Sequence, residues 1–126
     1  MSDSKQQLIR IENEDSVPVI TLLTPELRAD SVISRLEQVL EDFIQRSGSK
    51  YLVLDMTSVH FLSSSGLRIL ILLRKRLKEL GGRFTMCCVH PYVADVFKTT
   101  RLFAPKFDYY DDIAGAIAAL KPPAES

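Results

Sequence analysis

The succession of strand-like and helix-like segments predicts an α/β fold, a mixed β-sheet with helices packed on it, and three observations carry that prediction. Short β-rich runs alternate with longer amphipathic ones in the order β-β-α-β-α-β-α-β-α, the pattern of a sheet linked by right-handed crossovers. The run Tyr51–Met56 is nearly continuously apolar, as expected of a strand covered on both faces. The first two β-rich runs are separated only by a polar turn, Asn13–Ser16, a length that suits an antiparallel hairpin.

Each element follows from local chemistry. Residues 8–12 and 17–23 are rich in β-branched residues, and Pro18 is tolerable near a strand start or edge. From Val32, the apolar residues Ile33, Leu36, Val39, Leu40, Phe43 and Ile44 follow helical spacing, with Asp30 or Ser31 as the cap and Gly48 as the stop. After Tyr51–Met56, Leu67–Leu80 repeats the helical pattern and ends at Gly81–Gly82. Phe84–Val89 reads as a strand, and Pro91–Lys98 as a helix with proline in its first turn. Lys106–Tyr110 reads as a short strand, and Asp111–Leu120 as a final helix capped by Asp111.

With 126 residues the chain is one domain's worth, with a core over about residues 7–120 and frayed termini. Hydrophobic residues at 46% and charged residues at 25% are the usage of a globular protein, not of a disordered or disulfide-scaffold chain. Sixteen basic and sixteen acidic residues cancel, so no global field draws the chain to nucleic acid or an anionic membrane. The start MSDSKQQLIRIENEDS lacks the apolar stretch of a signal peptide and no run is long enough to span a membrane, so a cytoplasmic location is expected. Cys87 and Cys88 are sequence neighbours, which read as small apolar residues in a reducing compartment; with both histidines isolated in sequence, no metal site is expected.

The informative stretch follows Tyr51–Met56. In such sheets functional groups gather at the C-terminal ends of strands, and here Thr57–Leu62 leads into Ser63, Ser64, Ser65 and Gly66 at a helix N-terminus. A serine there caps the helix, binds an anion or carries a phosphate, because the unpaired N–H groups and the helix dipole favour all three. Capping accounts for one serine only. A hydrolase elbow is disfavoured, since Leu62 stands where G-x-S-x-G needs its first glycine. Asp55 at a strand end also fits the phospho-accepting aspartate of a receiver domain, but a receiver needs a helical crossover after its first strand. The preferred reading is a carboxylate that holds its loop, with Thr57 and Ser58 within reach. The basic residues Arg68, Arg74, Lys75, Arg76 and Lys78 read as a solvated helix face, with Arg68 one turn from the serines.

The run Asp55–Leu70, DMTSVHFLSSSGLRIL, closely resembles the signature of the STAS domain family, specifically the stand-alone bacterial anti-sigma factor antagonists, and the likeness extends over nearly the whole chain. In that family a strand ends in Asp, a Ser or Thr follows two residues on, then Val, an aromatic or aliphatic pair, and a phosphoacceptor segment ending in Ser-Gly-Leu. Asp55, Thr57, Val59, Phe61, Leu62, Ser65, Gly66 and Leu67 fit those positions. The same register puts the phosphorylated serine on Ser64, with Ser63 and Ser65 as secondary candidates. The chain departs from the pattern at Ser63, where the family commonly carries Asp.

The resemblance implies a STAS-like mixed sheet and a regulated binding module rather than an enzyme, needing no cofactor or metal. It implies partner contacts at and around Asp55, Thr57, Ser58, Val59, His60, Leu62, Gly66 and Arg68. The implied partners are an anti-sigma factor that is also a serine kinase, and a metal-dependent serine phosphatase, with neither nucleic acid nor membrane involved and a monomer as the default state. Two alternatives stay open: a STAS subunit that binds without phosphorylation, and a binder of a small ligand or nucleotide.

Overall fold

The computed structural model describes residues 8–28, 30–99 and 109–120. The predicted frayed termini and the first three residues of the predicted Lys106–Tyr110 strand lie outside the described residues. The elements are β1 (Ile9–Glu14), β2 (Val17–Leu22), β3 (Glu26–Leu27), α1 (Asp30–Ser47), β4 (Tyr51–Asp55), β5 (Phe61–Leu62), α2 (Ser64–Glu79), β6 (Arg83–Cys87), α3 (Pro91–Thr99), β7 (Tyr109–Tyr110) and α4 (Ile113–Leu120). A five-stranded sheet runs in the order β1-β2-β4-β6-β7, antiparallel between β1 and β2 and parallel elsewhere. The mixed α/β architecture is therefore the one the element order predicts.

The hairpin is tighter than the polar run suggests. Only Asp15 and Ser16 form the loop, both at positive φ (53° and 67°), the backbone of a type I′ turn whose twist matches the strands. Exposed Arg10, Glu12 and Glu14 guard the edge strand β1 against pairing with another chain. Pairing of β2 with β4 begins at Val19, so Pro18 lies outside that ladder.

Side-chain alternation sorts the core into two layers. Leu52 and Leu54 of β4 and Phe84 and Met86 of β6 pack with Leu36, Leu40 and Ile44 of α1 and with Leu67, Leu70, Leu73 and Leu77 of α2. Val53 and Cys87 point to the other face, onto Ala116, Ile117 and Leu120 of α4. Thr85, fully buried on that face, donates to the Ala116 carbonyl at 2.9 Å and so satisfies its hydroxyl.

Several features differ from the sequence-based expectation. Helix α1 includes Asp30 and Ser31, so neither precedes it as a cap. The final helix is capped by Asp112, not Asp111: its carboxylate accepts from Gly115 N–H at 2.8 Å, and the helix starts at Ile113. Strand β6 stops at Cys87 because Cys88 turns into the left-handed region at φ 60°. A second, two-stranded parallel sheet pairs β3 with β5; each strand is two residues long, too short for any periodicity to register. The predicted helix stops hold. Gly48 at φ 69° closes α1, and Gly81 at φ 85° closes α2, with Gly82 N–H reaching back to the Leu77 carbonyl at 2.8 Å.

Candidate functional site

Thr21, Asp55 and Cys87 stand in register across the C-terminal ends of β2, β4 and β6. Asp55 is the hub of this row. Its Oδ1 accepts from the Thr57 amide at 3.0 Å and from the Thr57 hydroxyl at 2.6 Å, and the Thr21 hydroxyl points at Oδ2 from 3.5 Å. The two bonds to Thr57 fold the chain back as it leaves the sheet, and a turn closed by Val59 N–H on the Met56 carbonyl at 3.0 Å follows. Met56 and Val59 are fully buried, so the loop is nailed down by apolar side chains as well as by the carboxylate.

The loop's far half is held by the segment just before α1. The amides of His60 and Phe61 both donate to the Pro25 carbonyl, at 2.8 and 3.2 Å, and Ser63 N–H donates to the Leu27 carbonyl at 3.1 Å. These bonds make the small β3–β5 sheet a bracket that fixes where α2 begins.

The three serines part company here. Ser63 is the N-cap of α2: its backbone is extended (φ −89°, ψ 177°), its Oγ accepts from Gly66 N–H at 3.2 Å, and the same hydroxyl donates to the Leu27 carbonyl at 3.0 Å. Ser65 is half-buried and, with Arg68, lines a polar groove of about 320 Å³ against Asp30, Ser34 and Glu37 of α1. Ser64 is exposed, occupies the first helical position, and its hydroxyl makes no hydrogen bond among the described residues. Ser and Asp are comparable N-caps. Only Ser, however, can also donate to Leu27.

Gly66 is buried, and a Cβ there would lie 2.5 Å from the Leu27 carbonyl oxygen and 2.8 Å from a Leu62 methyl. The close approach is thus to the protein's own bracket. Val59, Leu62 and Gly66 shape the loop from beneath, whereas Thr57, His60, Ser64 and Arg68 face solvent and Ser58 is half-buried.

Residues that sequence reading passed over, among them His90, Tyr92 and Arg28, join His60 and Phe61 at the site. His60 and His90, 30 positions apart, stack with ring centroids 5.2 Å apart, so the two histidines are not isolated in space. His90 also caps α3, its Nδ1 accepting from Tyr92 N–H at 3.2 Å. Phe61 stacks with Tyr92, 53% exposed, at 6.1 Å, and the Arg28 guanidinium carbon lies 5.5 Å from the Phe61 ring centre. Burial, and then the neighbouring Cys88 thiol, push the Cys87 thiol well above the ordinary range. Pro25, Leu27 and Arg28 carry no motif, and their contribution is mostly backbone carbonyls, which leave no trace in composition.

Helices on both faces of a partly parallel sheet, with polar side chains gathered at the strands' C-terminal ends and an exposed serine opening a helix, define an α/β domain built to present one loop. The chain matches the STAS domain model over residues 10–116 and belongs to that family. It is 32% identical over 74 residues to a Bordetella bronchiseptica protein provisionally named anti-sigma factor antagonist BtrV, an alignment covering 59% of this chain and 63% of that one. It is 28% identical over 82 residues to the anti-sigma F factor antagonist of Paenibacillus polymyxa, covering 65% and 69% of the two chains. The structure superposes on an anti-sigma-factor antagonist (STAS) domain protein from Planctomyces limnophilus with a TM-score of 0.75 and 26% identity, over 90% of this chain and 97% of that one. Among the described residues no helix is long and apolar enough to cross a membrane.

Proposed function

We propose that this STAS domain is an anti-sigma factor antagonist of the partner-switching type. Unphosphorylated, it binds an anti-sigma factor that is also a serine kinase and thereby frees a sigma factor in the cytoplasm. That kinase, using its own ATP, phosphorylates Ser64 and ends the interaction, and a metal-dependent serine phosphatase restores it. The domain itself is substrate and ligand; the catalytic steps belong to its partners. The relatives' names support the antagonist role, and the serine geometry supports the acceptor.

The observation that carries the assignment is the division of labour between Ser63 and Ser64. Ser63's hydroxyl is committed twice, to Gly66 and to Leu27, so a phosphate there would break the helix cap and the bracket together. Ser64, one residue on, is exposed and uncommitted on a rigid base. A phosphoserine carries about −1.5 to −2 charges, and at a helix N-terminus such charge is favourable by roughly 0.3–1 kcal/mol. The switch therefore acts by like-charge repulsion and desolvation at the interface, not by melting α2.

Phosphosite mapping by mass spectrometry on protein isolated from its native cells tests the acceptor. Phosphate on Ser64 is expected. Phosphate confined to Ser63 or Ser65, or absent from all three serines, overturns this mechanism and favours a STAS subunit that binds without phosphorylation.

A further inference from the structure

We propose that Asp55, Cys87 and Cys88 form a binding site for a thiophilic divalent cation of the zinc and cadmium kind. One carboxylate oxygen and the two sulfurs lie within 4.8 Å of one another, a convergence found for no other group of three such side chains among the described residues. The fold makes it in two steps. Asp55 and Cys87 are register partners at the ends of β4 and β6. Successive side chains of a strand point to opposite faces, so adjacent cysteines ordinarily send their sulfurs apart. Cys88 breaks that alternation: at φ 60° it adopts a conformation uncommon outside glycine, and its sulfur swings back towards Cys87 and Asp55. This backbone is held by Cys88 N–H on the Tyr110 carbonyl at 3.0 Å, and the thiol donates to the Asp111 carbonyl at 3.6 Å.

The donor set selects the metal. Two cysteine sulfurs, each releasing its thiol proton to solvent as the ion binds, and one carboxylate suit zinc and its congeners, whereas magnesium and calcium take oxygen ligands. Zinc holds sulfur at ~2.3 Å and carboxylate oxygen at ~2.0–2.2 Å, which places tetrahedral ligand atoms roughly 3.5–3.8 Å apart. The three atoms need close by only about 1 Å, and a tetrahedral ion with three protein ligands keeps one position for water. Asp55 has an oxygen to give, since Oδ1 serves Thr57 while Oδ2 has only the long Thr21 contact. Cys87 is fully buried and Cys88 and Asp55 half-buried, so the ion enters from their side. The stacked histidines are close by along the chain but stand outside the cluster.

Titration of the reduced, metal-free full chain with cadmium, followed by the ultraviolet thiolate-to-metal charge-transfer band, tests the site. A band saturating at one equivalent is expected in the wild type, lost in Cys88→Ser and retained in His90→Ala. Saturating zinc should raise the unfolding temperature of the wild type and leave that of Cys88→Ser unmoved. No band in the wild type, a band of full intensity in Cys88→Ser, or loss of the band in His90→Ala with its fold intact overturns the proposal. The wild-type titration alone decides the matter should a variant fail to fold.

Discussion

The row of groups at the sheet's C-terminal edge has a serine side and a thiol side, joined at Asp55, and the two are built on opposite plans. On the serine side the exposed group, Ser64, is free while everything beneath it is fixed: Ser63 caps, Gly66 is enclosed, and the carbonyls of Pro25 and Leu27 hold the loop. On the thiol side the innermost group, Cys87, is buried, and the neighbouring Cys88 is placed by one residue of left-handed backbone. A site that must be modified by another protein needs its reactive atom outside and its scaffold inside. The serine side meets that requirement and the thiol side does not.

The largest way to break the comparison is Gly66→Val. Its side chain would meet a backbone carbonyl, which cannot step aside as a flexible side chain would, so overpacking of about 1–3 kcal/mol or more is expected, read as a fall in the denaturant midpoint. Unchanged stability would mean that the β3–β5 bracket is not what positions α2. Next, Asp55→Ala should cost on the order of 1–3 kcal/mol by stripping Thr57 of its acceptor, with faster amide exchange at Thr57 and Val59 as its local signature. Exchange as slow as in the wild type would dismiss Asp55 as the loop's anchor.

The serines sharpen the contrast most economically. Ser63→Ala should lose about 1 kcal/mol as an N-cap, whereas Ser64→Ala should stay within about 0.5 kcal/mol of the wild type. Equal losses would erase the distinction on which the phosphoacceptor assignment rests. On the thiol side, alkylation of the native protein at neutral pH should mark half-exposed Cys88 long before buried Cys87, which peptide mapping would read directly.

The smallest effect lies away from the site. Arg76 of α2 bridges to Glu41 of α1 at 2.9 Å, and that hydrogen bond holds the Glu41 carboxyl below its ordinary value. A depressed carboxylate contributes stability above its unfolded pKa and loses it as pH falls through the folded one. Glu41→Gln should therefore lower the unfolding temperature slightly at neutral pH, the difference vanishing in acid. A difference that grew in acid would reverse this assignment.

The sheet was legible because its strands and helices are long enough to show their periods: the Leu52–Leu54 run and the spacing from Leu67 to Leu77 need no tertiary context. The serine loop was legible through its resemblance to a family signature and through the chemistry of a helix start. The bracket was not, because two-residue strands have no period and act through carbonyls that every residue carries. The thiol cluster was hidden for a different reason. A Cys-Cys pair in a strand implies divergent sulfurs, and only the left-handed Cys88 reverses that.

The central claim, that phosphate on Ser64 works at the interface and leaves the fold alone, is tested by one paired measurement. Thermal unfolding and affinity for the anti-sigma factor kinase are recorded for the protein with and without phosphate on Ser64. An unfolding temperature equal to or above that of the unmodified protein, together with collapsed affinity, is the predicted result. A phosphorylated form that loses helix or melts well below the unmodified one would contradict it.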